Sequence, residues 1–468
     1  MPVEGGSKKA SKGRGRFLIL GCSVALLTFS QSFTGIILTD LIVYRTCLIS
    51  LGTNHTYDCS MAHTNDSSIK ERLLEAEAEP LASMIVMVKT LIESILSAVL
   101  SLFLGPWSDR GGRKPLLLGG LTGFTLMFGL LSLLCSWDVS PWYLIIPSIP
   151  GYILGGSGTV ILAAMCYISD TTAEKDRTML MAWLQASIFG GVVLGVFGGP
   201  IIFQNCGYTT VFSIGAMCCA SALLIIYFTI PESAKGATEK SQMHGLFEIA
   251  LLKKLATSII VKRYGFHRPV VWLVMFIFTT CAMIIAAETS IGFLFVKARL
   301  GWDVAQYSYV SGVGLLLNIT ALFGVSLLGR SAGSADTLLA VVGLTSGLIG
   351  SIVKAFATKA WHMYFSVSIA MFAGIVSPVM RSILSKSVPA EDIGTVLSLA
   401  GLLEVMSPLA GAPLFTLIFS NYLPPIYPTP VFLLSTSLFA LLIVCTVYTE
   451  VLIRRFRKLV YIAAPQKE

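Results

Sequence analysis

Charged residues are scarce in this chain of 468 residues: Asp, Glu, Lys and Arg make up 12%, against 55% hydrophobic residues. Soluble domains carry about a quarter charged residues, so this composition excludes a soluble protein and predicts a polytopic membrane protein. The sequence also lacks a nucleotide-binding loop, metal-ligand spacing among its ten cysteines and five histidines, and a nucleophile with its base outside the apolar runs. These absences argue against an enzyme and predict neither a metal nor a cofactor.

Long apolar runs, in contrast, are abundant, and twelve of them can cross a hydrocarbon core of about 30 Å as helices. The runs begin near Phe17, Leu81, Pro115, Pro141, Leu180, Thr209, Pro269, Tyr307, Asp336, Trp361, Gly394 and Pro428. A polar linker at 231–268 separates six runs from six. The pattern predicts an all-α membrane protein with twelve transmembrane helices, divided into six-helix bundles at 17–230 and 269–452.

Basic residues indicate the orientation of the chain. A net charge of +8 would suit nucleic-acid binding, but the basic residues cluster in short segments between apolar runs. Such segments remain in the cytosol by the positive-inside rule. We therefore expect the tail 1–16, the linker 231–268 and the tail 453–468 in the cytosol, and a lipid bilayer rather than a nucleic acid as partner.

The segment 40–80 then forms an external loop. Asn54 and Asn65 each begin an Asn-x-Ser/Thr sequence there, which predicts glycosylation. A third match at Asn318 lies inside an apolar run, so we interpret it as a chance occurrence.

External cysteines offer a disulfide bond. Cys59 and Cys206 are both expected in external loops, so they can pair, while Cys47 and Cys135 lie near outer helix ends. Sequence spacing does not fix the connectivity, and the other pairings stay open.

The segment between the second and third runs reads GPWSDRGGRKP, from Gly105 to Pro115. Its glycines permit a tight reversal, Asp109 can face the N-terminal end of a helix, and Arg113 adds cytosolic positive charge. The spacing of Gly105, Asp109, Gly112 and Arg113 resembles the loop between helices two and three of the major facilitator superfamily. This resemblance implies two six-helix halves around a cavity that opens to each side of the membrane in turn.

A cluster of charges follows the fourth run, and it includes Asp170 and Arg177. Asp170 can pair with Arg113, and such pairs can exchange partners as a transporter opens and closes, which predicts a gating role. The alternative is a solvated loop face. Residues 328–336 hold the equivalent place in the second half and weakly repeat the motif.

Several segments together resemble the proton-coupled folate transporter group, solute carrier family 46. The segments are the external loop with Cys59, 105–115, 170–187, 300–303 and 378–386. The resemblance implies proton-coupled transport of a small organic anion, with folate-like compounds first. Other branches of the family are associated with cyclic dinucleotides and bacterial muropeptides.

Three positions depart from the folate branch. Gln185 stands where that branch has a carboxylate, Ile284 where it has a histidine, and Gly301 where it has a cysteine. The usual proton-handling groups are therefore missing. Glu404 resembles a carboxylate of the lysosomal branch.

Ionisable side chains inside apolar runs cost roughly 2.5 to 3.5 kcal/mol to insert, so each is a candidate for the transport pathway. Arg381 can grip an anionic group in two places, and we expect it to bind substrate together with Gln185, Glu404 and Lys89. The alternative for Arg381 is a snorkelling or gating charge near the cytosol.

Carboxylates are the candidates for proton coupling: Glu288 and Glu404, which have no partner nearby in the sequence, and Glu93. Glu93 lies one helical turn after Lys89, so the two can form an ion pair. For that pair a purely structural role is equally expected; Glu288 can instead reach an outer aqueous vestibule or cap a helix.

Glycines recur every fourth residue in the fifth run, at Gly191, Gly195 and Gly199. The run resembles the antiporter motif of the superfamily, but small residues at this spacing also permit close helix packing, which we favour.

These observations predict a secondary active transporter that moves a small organic anion, folate-like by resemblance, in symport with protons by alternating access. Transport of cyclic dinucleotides or muropeptides, an antiporter or uniporter, and a non-transporting receptor or scaffold are the alternatives. We expect a monomer in the plasma membrane, with an endosomal or lysosomal membrane as the other location.

Overall fold

The structure is a computed structural model that describes residues 4–50, 69–153, 156–172, 174–232, 268–332, 336–388, 393–422, 427 and 429–463. All regular elements in these ranges are helices. The α-helices of the first half are Glu4–Ser50, Ile69–Gly111, Arg113–Cys135, Ser148–Ile153, Gly156–Thr171 and Glu174–Thr229, with a 3-10 helix at Pro141–Ile145. Those of the second half are Arg268–Leu300, Val304–Ala332, Asp336–Ala355, Ala360–Ile369, Val376–Lys386, Ile393–Asn421 and Pro430–Ala463, with a 3-10 helix at Ala370–Ile375.

Eleven helical stretches of the described residues are long and apolar enough to span a membrane. One of them, Met179–Thr229, has 51 residues and would measure about 76 Å as a single helix, more than twice the hydrocarbon core. At Gly207 the φ angle is 74°, so the backbone leaves the helical conformation and the stretch divides into two spans. The prediction of twelve spans is thereby confirmed.

We number these spans in chain order. They are Arg16–Leu48, Glu79–Leu100, Arg113–Cys135, Pro141–Thr171, the two parts of Met179–Thr229, Arg268–Leu300, Val304–Gly324, Asp336–Ala355, Ala360–Lys386, Leu399–Asn421 and Pro430–Arg455.

The predicted external loop 40–80 is too long. The first helix continues to Ser50 and the second begins at Ile69. Asp40 lies inside the first span with 1% exposure, and its carboxylate accepts a hydrogen bond of 2.7 Å from the Tyr208 hydroxyl. In the sequence, the carboxylate of Asp40 suggests the end of an apolar run. The hydrogen bond from Tyr208 lowers the cost of burying it, so Asp40 can remain inside the span.

The motif between the second and third spans is also more helical than predicted. The second helix continues to Gly111 and the third begins at Arg113, so Gly112 alone separates them. Its φ angle of 104° suits glycine, because a side chain in that conformation is strained.

Two compact units make up the chain. The first comprises Met1–Glu248 with Trp302–Tyr309, and the second comprises Ile249–Gly301 with Val310–Glu468. The second unit has a core of buried apolar side chains from the seventh, ninth, tenth and twelfth spans, such as Phe278, Leu344, Met380 and Phe439.

In the first unit the fifth span packs tightly on the first. An added Cβ atom at Gly191, Gly195 or Gly199 would lie only 2.3 to 2.5 Å from a carbonyl oxygen of the first span. A side chain cannot fit at such distances, so close packing accounts for these glycines, as the sequence favours.

The tenth span changes its helix type part-way along. An α-helix ends at Ile369, the 3-10 helix Ala370–Ile375 follows, and a second α-helix begins at Val376. Pro378 explains the break, because it has no N–H for the Gly374 carbonyl and its ring crowds that carbonyl.

Candidate substrate and gating sites

Arg381 and Glu404 form an ion pair between the tenth and eleventh spans. The side chains remain 49% and 38% exposed, respectively. The Arg381 guanidinium also lies over the ring of Phe278 in the seventh span, 5.4 Å from its centroid. The structure therefore brings together two of the predicted substrate residues, and adds an aromatic face that the sequence did not single out.

A cavity of about 250 Å³ opens beside this pair. Glu404, Ser377 and Ser407 supply its polar lining, while Phe278, Pro408 and other apolar side chains line the rest. A mostly apolar cavity with a few polar groups is typical of small-molecule sites.

Glu404 stands at a local defect in the eleventh span. Pro408 lies four residues later in the same helix and has no N–H to donate to the Glu404 carbonyl. The Ser407 hydroxyl donates to that carbonyl instead, at 2.7 Å. A polar group thus satisfies the backbone next to the carboxylate.

Glu288 has a partner that sequence reasoning missed. Its Oε2 atom lies 2.7 Å from Nζ of Lys354 in the ninth span, and its Oε1 accepts a hydrogen bond of 3.0 Å from Ser351. Lys354 also lies over the Phe432 ring, at 5.8 Å from its centroid. Glu288 therefore neither faces an aqueous vestibule nor caps a helix, the two alternatives that the sequence left open, because partners on the ninth span bind its carboxylate.

Lys89 and Glu93 form the expected ion pair in the second span, with Nζ and Oε1 2.8 Å apart. The pair is mostly buried, and the Tyr152 hydroxyl interacts with the Glu93 carboxylate. Both charges belong to the first unit, and their part in substrate binding or proton coupling stays a prediction. Gln185, on the fifth span, is half-buried, and its role likewise stays a prediction.

The predicted gating residues Arg113 and Asp170 are paired, with Nε and Oδ2 3.0 Å apart. Glu232, which follows the sixth span, accepts hydrogen bonds from the backbone N–H groups of Arg113, at 2.8 Å, and Lys114, at 3.1 Å. Its carboxylate would lie 2.5 Å from a Cβ atom at Gly112. Glu232 is not among the residues predicted from the sequence, although a carboxylate just after a span is a signal for capping a neighbouring helix.

The other gating residues, Gly105, Asp109 and Arg177, lie in helical backbone. The side chains of Asp109 and Arg177 are outside the described part of the structure.

A corresponding pair occurs in the second unit. Lys386 at the end of the tenth span donates to Asp336 at the start of the ninth, at 2.6 Å, and Ser382 donates to the same carboxylate at 2.9 Å. Next to it, the Thr337 hydroxyl donates to Glu450 of the twelfth span at 2.5 Å. Asp336, the last residue of the weak second copy of the motif, thus takes part in an ion pair between spans.

A sequence profile of the Major Facilitator Superfamily matches residues 78–412 of this chain. The chain belongs to the major facilitator superfamily. A similar protein is the probable peptidoglycan muropeptide transporter SLC46 of Drosophila melanogaster, 27% identical over 86% of this chain and 79% of that one. The proton-coupled folate transporter of Bos taurus is 26% identical over 78% of this chain and 77% of its own length. The facilitator is thus similar to a transporter named for solute carrier family 46 and to a proton-coupled folate transporter.

Solved structures show the same fold. The human organic anion transporter MFSD10 superposes with a TM-score of 0.63 at 13% identity, over 92% of this chain and 98% of that one. The relatives and the fold are those of transporters, so this facilitator is a multi-pass membrane transporter and not an enzyme.

The cysteines of the facilitator correct one prediction. Cys206 is an exposed free thiol, so the pairing of Cys59 with Cys206, one of those that the sequence left open, does not form. Cys47, near the end of the first span, is the disulfide-bonded cysteine among the described residues. Cys59 and the predicted glycosylation sites Asn54 and Asn65 lie outside those residues.

Proposed function

We propose that the chain is a secondary transporter for a small organic anion, with Arg381 as the anion-binding group and Glu404 as the proton-exchanging group. The observation that carries this proposal is the half-exposed Arg381–Glu404 ion pair beside an apolar cavity. A guanidinium stays charged and binds a carboxylate or phosphate in two places, so it suits an anionic substrate.

Proton coupling follows from competition for the same guanidinium. While Glu404 is ionised, its carboxylate occupies Arg381 and opposes a substrate anion. A proton that binds Glu404 neutralises this competitor, so the substrate anion can take its place on Arg381. Release of substrate and proton on the other side of the membrane restores the ion pair and completes a symport cycle by alternating access.

The substrate class we favour is a muropeptide, with folate-like compounds second. A muropeptide carries a carboxylate, which Arg381 can bind. The probable muropeptide transporter of Drosophila melanogaster is similar to this chain over 86% of this chain's length. The folate branch's carboxylate and histidine are replaced here by Gln185 and Ile284. Close packing accounts for the fifth-span glycines, so they give no support to an antiporter.

Uptake by cells that display the chain at their surface tests this proposal. The probes are a labelled muropeptide, folate and a cyclic dinucleotide, each at mildly acidic and at neutral external pH. We expect acid-stimulated uptake of the muropeptide that falls at least about tenfold in Arg381→Ala, since a charge-assisted bidentate contact is lost. Glu404→Gln should transport equally at both pH values, because its side chain cannot compete as an anion.

Arg454→Ala is the matched control, because Arg454 also pairs with a glutamate, Glu450, but at an exposed helix end. It should leave uptake unchanged. Full uptake by Arg381→Ala would contradict the role of Arg381, and full acid stimulation in Glu404→Gln would contradict that of Glu404.

A further inference from the structure

Two side chains from neighbouring spans hold the break in the tenth span. The Ser346 hydroxyl, on the ninth span, donates to the Ile369 carbonyl at 2.5 Å and accepts from the Phe372 N–H at 3.2 Å. The Asn318 side chain, on the eighth span, accepts from the Gly374 N–H at 3.1 Å. Three backbone groups at the break therefore have side-chain partners from neighbouring spans.

Such partners matter because a membrane interior offers no water to replace a lost helical hydrogen bond. Pro378 removes one backbone donor from the tenth span, and the 3-10 geometry changes the pairing of the groups before it. Without Ser346 and Asn318, the N–H groups of Phe372 and Gly374 would lose these side-chain acceptors.

The contacts are closely fitted. Asn318 Nδ2 donates to the Gly314 carbonyl of its own helix at 2.9 Å, which orients the amide oxygen toward Gly374. A Cβ atom at position 374 would lie 2.7 Å from that oxygen, so the approach requires glycine there. Ser346 is buried, with 7% exposure. The Asn-x-Thr match at Asn318 is therefore not a glycosylation site, because this asparagine lies in the eighth span and binds the backbone of the tenth.

Arg381 lies on the helix that follows this break. The helix that carries it, Val376–Lys386, has only 11 residues and begins where the 3-10 helix ends. We infer that Asn318 and Ser346 are positioning residues that fix the break in the tenth span and thereby place the Arg381 guanidinium against Glu404 and Phe278. The inference rests on the proposed role of Arg381 as the anion-binding group.

Two chemical readouts on the purified full-length chain test the inference without a transported substrate. Hydrogen exchange of amides 370–375 reports on the break, and the rate at which phenylglyoxal modifies Arg381, followed by mass spectrometry, reports on the guanidinium. We expect Asn318→Leu and Ser346→Ala each to speed exchange about tenfold, as the loss of one hydrogen bond predicts. Both should also speed modification of Arg381, while Ser346→Thr, which keeps the hydroxyl, should behave like the natural chain.

Matched controls are Thr320→Val on the eighth span and Ser368→Ala on the tenth, whose hydroxyls bond to carbonyls of their own helices. These should change neither readout. Glu404→Gln is the positive control for the reagent, since it removes the carboxylate that pairs with Arg381.

Unchanged exchange in Ser346→Ala and Asn318→Leu would overturn the inference. Faster exchange with unchanged modification of Arg381 would overturn it too, because the two side chains would then hold the break without positioning the arginine. If Asn318→Leu fails to fold, Ser346→Ala decides alone. Failure of the proposed function appears separately, as uptake that Arg381→Ala leaves intact.

Discussion

Two ion pairs of the second unit, Glu288–Lys354 and Arg381–Glu404, connect different spans, and they differ in exposure. Glu288 and Lys354 are 12% and 20% exposed, whereas Glu404 and Arg381 are 38% and 49% exposed. A buried pair holds its helices together, because separating it would leave two charges without compensation. The more exposed pair can be separated at lower cost, which supports the exchange that we propose for Arg381 and Glu404.

The buried pair gives a prediction at this scale. Lys354→Met should lower the free energy of unfolding by about 3 to 5 kcal/mol, since it leaves the Glu288 carboxylate buried and unpaired. Combining it with Glu288→Gln should recover most of that loss. The measurement is the unfolding of the purified chain in detergent, with Arg454→Met as the control for loss of an exposed cation.

Equal losses in the single and combined variants would show that Lys354 acts through its aliphatic stem or its contact with Phe432, not through Glu288.

Three of these four residues can be predicted from the sequence, but their pairing cannot. Arg381, Glu288 and Glu404 stand out because charges in apolar runs are costly. Their partners lie 66 residues away for Glu288 and 23 for Glu404, and no local pattern reports such distances. Lys354 stands in the last turn of its helix, where a lysine suggests no more than the end of a span.

Packing between whole elements is tightest where the fifth span meets the first. Gly195 lies so close that an added Cβ would be 2.5 Å from the Phe29 carbonyl oxygen. Gly190, on the same helix, has no heavy atom within 4 Å of its own added Cβ. Substitutions at these two positions therefore distinguish the effect of close packing from the general effect of glycine on helix stability.

We predict that Gly195→Ala destabilises the chain by about 1 to 3 kcal/mol, because the first and fifth spans must move apart. Gly190→Ala should be neutral or stabilising by up to about 1 kcal/mol, because alanine favours the helix. Unfolding midpoints of the two purified variants give the comparison. If Gly195→Ala left stability unchanged but altered the coupling of transport to protons, the glycines would act as the antiporter motif and not through packing.

Element boundaries were harder to predict than element types. The motif 105–115 is rich in glycine, which permits a turn without requiring one, and the second helix continues through it to Gly111. Packing and capping decide such boundaries: Glu232, which lies 119 residues from Arg113, caps the third helix and leaves Gly112 as the turn.

Across the whole molecule, the two halves carry corresponding ion pairs of opposite sign. Arg113 starts the third span and pairs with Asp170 at the end of the fourth, whereas Asp336 starts the ninth and pairs with Lys386 at the end of the tenth. Helix dipoles favour an acid at the N-terminus and a base at the C-terminus. The charges of the second-half pair therefore suit the dipoles of their helices, whereas those of the first-half pair oppose them. In the first half, Glu232 supplies the negative charge that the N-terminus of the third helix otherwise lacks.

Reversal of each pair tests this account. Arg113→Asp with Asp170→Arg aligns the charges with the dipoles but sets the new carboxylate beside Glu232, so we expect the chain to lose stability. Adding Glu232→Gln removes the repulsion and should restore at least the stability of Glu232→Gln alone.

Asp336→Lys with Lys386→Asp should cost about 0.3 to 1 kcal/mol at each helix end, because both reversed charges oppose the dipoles. Unfolding midpoints of the purified chains measure all three effects, and a first-half reversal that is fully stable with Glu232 in place would contradict the balance between this carboxylate and Arg113.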